Sequence, residues 1–396
     1  MKLVIISNYW HFVNEKSSSR YNSLAETAAE SGLDVTVMTS TFYHTKKTQR
    51  NYEIKAAYNT VLVDEPSYSK NVTPKRISAH AAFAKGVIAK LEQMEQKPDV
   101  IYLFVPPTGL AKKVVTFAKK NGIRVIIDVL DLWPEAFAML MPSVAAKVLL
   151  APMKRSVEFA YANADEVVAV SQTYVDRAVA LNSRKNIGHS VFIGTDVSFF
   201  DACAQGTQPL EDKLRPITMA YIGMLGHSYD LCGVMDAMAL RIKEGCDDVE
   251  LLVMGDGPLR EKFEAYAKEL ALPVRFTGRL AYEDMVKKLV QCDIGMNVLV
   301  GKSDASIINK HADYVSAGIP VINVQKNQEF GYLLADYNAG VMCTPGDTQA
   351  LADAISELAK DEVRRKEMGK NSRRLAEEKF DRQKTYQEII KVIKGE

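Results

Sequence analysis

The sequence predicts an α/β protein made of two doubly wound domains joined near residue 200. Three observations predict it. Short runs rich in Val and Ile, without the strict alternation of half-exposed strands, recur along the chain with helical patterns between them. The series occurs twice, broken by the loose segment CAQGTQPLEDKLRP from Cys203 to Pro216. In the second series the runs end in small-residue turns, which suit the strand-to-helix corners of an open parallel sheet.

Taken in order, LVIIS (Leu3 to Ser7) is the first strand, followed by a helix near Tyr21 to Ser31 that Gly32 ends. DVTVMTS (Asp34 to Ser40), DVIYLFV (Asp99 to Val105), RVIIDV (Arg124 to Val129) and EVVAVS (Glu166 to Ser171) continue the first sheet. Long helical crossovers between them make the strands parallel. After the break come ITMAYIG (Ile217 to Gly223), VELLVMG (Val249 to Gly255), PVRFTG (Pro273 to Gly278), DIGMNVL (Asp293 to Leu299), VINV (Val321 to Val324) and AGVMCT (Ala339 to Thr344). From about Asp347 the chain reads as charged helix, ending in FDRQKTYQEIIKVIKGE. Ligands bind such sheets beyond the carboxyl ends of the strands, so two of them face to face predict an interdomain cleft.

Composition narrows the partners. The 396 residues are 47% hydrophobic and 25% charged, as in ordinary soluble proteins of two or three domains. Lys+Arg at 50 against Asp+Glu at 49 lacks the basic excess of a nucleic-acid binder. The five cysteines, at 203, 232, 246, 292 and 343, are scattered and show no CxxC spacing, which supports neither zinc nor disulfides and suggests a reducing cytoplasm. MKLVIISNYW reads as a strand entering a polar loop rather than a secretion signal, and no apolar stretch reaches the roughly 20 residues that span a bilayer. A cytoplasmic chain is the expectation.

The run NKHADYVSAGIPV, Asn309 to Val321, carries the most chemistry. It lies between two strands and reads as a helix that Ser306 can cap and that Gly318 and Pro320 stop. A helix N-terminus beyond a strand presents unpaired N–H groups and favours negative charge. Backbone N–H groups at Ser306, Ile307 and Ile308 would hold sugar hydroxyls, with Asn309 in the same binding set. Lys310 and Asp313, three apart, share a helix face, where they would offer a cation to phosphate and a carboxylate to sugar hydroxyls. A surface ion pair is the plain alternative. The turns at Gly223 and Gly226 (GMLGHS, with Met224 and His227) and at Gly255 and Gly257 (GDGPLR) permit close backbone approach; the first equally suits an ordinary tight turn, and the second taken alone suits one better. After PVRFTG, the backbone at Arg279 and Leu280 could pair with a nucleobase edge. Convergence of these turns on one sheet edge is stronger than any one of them.

In the first half, Asp131 and Trp133 follow a strand end, and an aromatic beside a carboxylate suits sugar recognition; shaping a loop is the alternative. Asp128 is a second carboxylate, still within the strand, and His11 is a loop histidine. The stretch from Pro142 to Asp165 mixes apolar residues with Lys147, Lys154 and Arg155, which reads as core packing with a basic face or as a surface for an anionic membrane.

YIGMLGHSYDL, VMGDGPLREKF, VRFTGRLAYEDM, CDIGMNVL and NKHADYVSAGIPV, with DLWPEAF, NADEVVAVSQTYVDRA and IGTDVSFF in the first half, resemble the family-four retaining glycosyltransferases over nearly the whole chain. The Asn-Lys before an acidic-Tyr pair is similar to the variant in polysaccharide-biosynthesis enzymes. The resemblance implies a GT-B fold of two Rossmann-like domains facing across a cleft. Residues 1–200 would bind the acceptor, 201–379 would bind the nucleotide sugar, and a final helix, 380–396, would cross back to the first domain. It implies sugar transfer, of hexosyl or N-acetylhexosaminyl type, from a nucleotide-diphosphate donor to a glycan or lipid-linked acceptor. UDP is favoured as the nucleotide. No metal or other cofactor is expected, since backbone N–H groups, the helix dipole and Lys or Arg neutralise the diphosphate. Peripheral contact with the inner face of the cell membrane is also a family expectation.

The chain departs from the family pattern at four places. The Arg usual after the first glycine is Met224, and the Lys five positions on is Tyr229. The paired glutamates fall on Ala305 and Asp313, and the paired glycines of the first loop are replaced by Ser17, Ser18 and Ser19, which become candidates for the acceptor side. Lys310 would then carry the charge compensation, with help from Arg279 or Lys302, and Lys310 and Asp131 are the candidates for catalysis. A non-catalytic accessory GT-B protein and a nucleotide-sugar epimerase remain as alternatives.

Overall fold

The computed structural model describes residues 1–12, 15, 19–70, 73–138, 143–184, 187–207, 215–301 and 305–396. The chain forms two compact units, Met1–Phe192 with Gln383–Glu396, and Ile193–Arg382.

The first unit has a seven-stranded sheet. Its strands are β1 (Lys2–Ser7), β2 (Asp34–Ser40), β3 (Asn59–Val63), β4 (Val100–Val105), β5 (Arg124–Val129), β6 (Glu166–Ala169) and β7 (Gly188–Ser190). All pair in parallel, in the order β3-β2-β1-β4-β5-β6-β7. The direction of winding reverses between β1 and β4, the switch point at which such sheets open a crevice. Two edge strands, β3 and β7, were not foreseen: both are short and mostly half buried, NTVLV with only three apolar residues in a row and GHS with none. Ser19 caps the helix α1 (Arg20–Glu30), its Oγ accepting from the N–H of Asn22, and Gly32 leaves that helix at φ +80°. Thr73 caps α2 (Pro74–Gln93), with Pro74 in the first turn, where its missing N–H is harmless. α3 (Thr108–Lys120) and α4 (Ala151–Asn163) pack on the sheet and on each other, burying Val114, Val115, Val157 and Tyr161.

In the second unit a six-stranded sheet repeats the scheme. Its strands are β8 (Ile217–Ile222), β9 (Val249–Met254), β10 (Val274–Phe276), β11 (Ile294–Val298), β12 (Val321–Val324) and β13 (Gly340–Cys343). They are parallel in the order β10-β9-β8-β11-β12-β13, and every one lies where an apolar run predicts it. α5 (Asn309–Ser316) connects β11 to β12, and Gly318 follows it at φ +67°, as its position predicts. The last helix, α6 (Arg382–Lys394), belongs to the first unit from Gln383 onward. Tyr386, Ile389, Ile390 and Ile393 join the core there, and the Arg124 guanidinium donates to the carbonyls of Val392 and Ile393 at 2.7 and 2.9 Å. Among the described residues no helix is long and apolar enough to cross a membrane.

Candidate functional site

The crevice of the second unit is wedged open by a side chain. β8 and β11 pair only at Met219–Ile294 and Ala220–Gly295. Beyond that point the Tyr314 hydroxyl stands between them, accepting from the N–H of Ile222 at 3.0 Å and donating to the carbonyl of Met296 at 2.9 Å. Gly295 makes room for it, since a Cβ there would lie 2.8 Å from the Tyr314 ring. Tyr314 thus satisfies the two backbone groups that its own ring separates. Sequence reasoning gave this tyrosine no part, although an aromatic with a polar tip facing a strand glycine is the signal that could have found it.

Lys310, on the same helix, is 7% exposed. Its Nζ lies 4.0 Å from the centroid of the Tyr221 ring and 3.9 Å from that of Tyr229, and it has no hydrogen-bond partner. The two ring faces attract a cation, but burial pushes the Lys310 pKa well below the ordinary lysine value. The same amine faces the first turn of the sheet, where a Cβ on Gly223 would sit 3.4 Å from Lys310 Nζ. Gly223 has φ +122°, a conformation that disfavours any side chain. Tyr229, one of the departures from the family pattern, is therefore one wall of the cage around Lys310. The surface ion pair with Asp313 does not form; Asp313 Oδ1 instead accepts from the Tyr282 hydroxyl at 2.8 Å. That hydroxyl lies 3.1 Å from Thr195 Oγ1, and the Tyr282 ring stacks on Phe199.

The helix begins later than Ser306 predicts. α5 starts at Asn309 with Ile308 as its cap residue, and the Ile308 N–H donates to His311 Nδ1. Ser306 is buried and donates to Glu329 Oε2 at 2.6 Å, so a neighbouring helix claims the hydroxyl that would have capped α5. Gln325, fully buried, donates to the carbonyls of Ala305 and Ser306, each at 2.7 Å, and accepts from the Asn297 amide. This amide ladder holds the loop before α5 from below. Asn297 lies inside β11 and Gln325 directly follows β12, where nothing in the apolar pattern marks them as important. Ile307 is buried, Ile308 half-buried and Asn309 exposed at the helix mouth.

The glycine turns pack first against each other. Gly223 N–H donates to Met254 O and Leu225 N–H to Asp256 O, both at 3.0 Å. A Cβ on Gly255 would lie 1.8 Å from Gly223 O, and one on Gly257 would lie 2.5 Å from Leu225 O. These two glycines, read as approach points for a ligand, are already filled by the neighbouring turn. Gly255→Ala is expected to destabilise the second unit by about 1–3 kcal/mol or more, because overpacking onto backbone leaves nothing flexible to yield; an unchanged melting temperature would contradict this packing. Gly226 is buried, whereas Met224 and His227 are exposed at the turn. Arg279 is exposed and Leu280 half-buried after β10.

In the first unit Asp128 is no acceptor ligand. It is fully buried, takes the Arg20 guanidinium at 2.9 and 3.1 Å, and accepts from Tyr102 at 2.8 Å. Asp131 Oδ2 accepts from Trp133 Nε1 at 3.0 Å, and burial raises its carboxyl pKa. Arg76 lies 5.0 Å over the Trp133 ring. His11 Nε2 is 3.0 Å from Thr45 Oγ1. The Ser19 hydroxyl serves the cap of α1, while Ser17, Ser18 and Lys302 lie outside the described residues. Among the described residues no group of three or more His, Cys, Asp or Glu could hold a metal ion.

Comparison with known proteins agrees with this architecture. Residues 216–361 match the family Glycosyl transferases group 1, and residues 18–187 match the Glycosyl transferase 4-like domain. A phosphatidyl-myo-inositol mannosyltransferase of Mycobacterium leprae is 29% identical over 124 residues, which are 31% of this chain. The chain thus spans about a third (32%) of that relative's length. Among solved structures, sucrose-phosphate synthase from Thermosynechococcus elongatus superposes with a TM-score of 0.72 at 16% identity, covering 100% of this chain and 98% of that one. Anabaena Alr3699/HepE in complex with UDP superposes at 0.71 and 15%, with both chains covered in full. With both sheets and the two family matches agreeing, the chain belongs to the family-four glycosyltransferases of GT-B fold.

Proposed function

We propose that this chain is a retaining, metal-independent glycosyltransferase. It would move a hexosyl or N-acetylhexosaminyl group from a nucleotide-diphosphate donor, with UDP favoured, to a glycan or lipid-linked acceptor in cell-surface polysaccharide synthesis. The observation that carries this reading is Lys310, a buried amine without a hydrogen-bond partner, aimed at the turn of Gly223 beside a helix N-terminus. Leaving such a group unpaired is unfavourable, and a ligand phosphate would complete it. The leaving nucleoside diphosphate gains negative charge as the glycosidic bond breaks, and a preorganised cation and first-turn N–H groups stabilise that charge. Asp313, oriented by Tyr282, would accept ribose hydroxyls. Asp131 and Trp133 in the first unit are the acceptor-side candidates, and the raised pKa of Asp131 suits it to taking a proton from an acceptor hydroxyl. The UDP bound to the Anabaena protein supports the donor class, and the name of the mycobacterial relative pairs glycosyl transfer with a phospholipid.

The test is a panel of UDP- and GDP-sugars, read by melting temperature and by slow release of free nucleotide. At about 100 times its Kd the right donor adds about 2.7 kcal/mol of stability, a rise of several degrees. Stabilisation by none of the donors, nor by UDP or GDP, rejects the enzyme. Stabilisation without nucleotide release favours the accessory protein, and an epimerised sugar without release favours the epimerase.

A further inference from the structure

The first unit carries a groove that its fold does not fill. A cavity of about 490 Å3 lies between α2, α3 and α4, floored by Ala84 and Leu110 and walled by Met153 and Phe137. Three of the largest exposed apolar side chains gather here. Ile77 (68% exposed) and Leu149 (66%) line the groove, and Val148 (71%) adjoins Leu149. Exposed apolar residues scattered singly mean little, but a contiguous set around a cavity marks a binding surface.

The charge of the groove is one-sided. Arg76, stacked 5.0 Å over the Trp133 ring, and Lys113 both line it, together with Thr108 and Gly109 in the first turn of α3. That helix has no side-chain cap, since Pro107 stands at its cap position. His80 also lines the groove but adds no charge at neutral pH: burial first, then the nearby charges led by Arg76, hold its pKa down to about 3. Among the described residues no carboxylate lines the groove. An apolar trough lined by two cations and by no described carboxylate calls for an amphiphile with an anionic head.

We infer that this groove seats the apolar chain of a single-chain lipid phosphate, with Arg76 and Lys113 meeting its phosphate. The inference rests on the glycosyltransferase reading, in which such a molecule carries the acceptor sugar. The groove opens beyond the carboxyl ends of β4 and β5, where Pro107 and Trp133 follow the strands, so a phosphate held by Arg76 lies beside the Asp131–Trp133 pair.

The chain holds its own probe. It has 2 tryptophans, of which Trp10 is fully buried and Trp133 lines the groove. Dodecyl phosphate, titrated below its micelle concentration, is expected to shift the emission of Trp133 saturably, and butyl phosphate to bind at least about tenfold more weakly for want of apolar contact. Gly109→Phe fills the groove from a position where a new Cβ meets nothing within 4 Å, and it should weaken dodecyl phosphate about tenfold or more. Ala81→Phe, on the exposed side of α2, is the second filling variant, and melting temperatures certify the fold of each. Equal binding of dodecyl and butyl phosphate, equal binding by both filled variants, or no saturable shift overturns the inference. So does adsorption only to phosphatidylglycerol vesicles that both filled variants retain, which would assign the apolar rim to a membrane surface. The titration contains no nucleotide, so its failure leaves the donor test standing, and failure of the donor test leaves this one readable.

Discussion

Lys310→Met is expected to raise the stability of the protein while abolishing its activity. Met keeps the length and apolar body of the side chain between Tyr221 and Tyr229, and removes an amine that has no hydrogen-bond partner. Relief of that unsatisfied group is worth about 1–3 kcal/mol. Transfer should fall about 100-fold or more, the usual loss when one preorganised donor to a developing anion is deleted. Melting temperature and donor turnover measured on one preparation check both halves. A destabilised variant would make Lys310 a structural residue, and a stable, active one would remove it from the site.

The same amine sets a pH dependence with a definite sign. Burial lowers the Lys310 pKa in the folded chain well below its ordinary value. Between those two values the unfolded chain holds the proton that the folded chain has lost, so stability rises with pH across the window and is lost as pH falls through it. The groups facing Lys310 are Tyr221 and Tyr229, with His311 beside it on α5; burial holds both tyrosines protonated and His311 neutral. A diphosphate placed against Nζ favours the charged form, so donor binding takes up a proton and affinity falls as pH rises through the window. Calorimetry of UDP binding in two buffers of different ionisation enthalpy reads this uptake directly. It should be present in the wild type and absent in Lys310→Met, and equal uptake in both would assign the proton elsewhere.

Arg20→Met is expected to have the largest effect on stability. The Arg20 and Asp128 side chains are 2% and 0% exposed, and Arg20 also donates to the carbonyls of Val191 and Phe192. Removing the guanidinium strands a carboxylate in the core, which costs about 3–5 kcal/mol and should lower the melting transition of the first unit by roughly 10 °C. Adding Asp128→Asn removes the stranded charge and keeps an acceptor for Tyr102, so the double variant should recover most of the loss. A single variant as stable as wild type would show that the pair does not hold the unit together.

The first helix illustrates how local chemistry was readable in the sequence and yet carried a different role. Ser19 reads as a polar loop residue open to an acceptor, but its hydroxyl caps α1, directly beside the Arg20 that neutralises Asp128. Asp128 reads as a strand carboxylate near a sheet edge, and nothing in RVIIDV names a partner 108 residues away. The glycines at 255 and 257 were legible as turn formers, because φ and tight turns are local matters. That the space above them holds the Gly223 and Leu225 carbonyls depends on two turns meeting across the sheet.

For this protein, the sequence alone determined the two parallel sheets, the interior strands that build them and the helix between β11 and β12. Apolar periodicity, caps and left-handed glycines act over a few residues, and those are the properties that a linear reading sees. The tertiary structure decided where the charges go. It put the Lys310 amine between two aromatic faces from the turn after β8 and within it, gave the Asp313 carboxylate to Tyr282, gave the Ser306 hydroxyl to Glu329, and drove Tyr314 between two strands. Each of these outcomes is set by burial and by a partner distant in the chain, since a polar group withdrawn from water takes whichever partner the packing brings within reach.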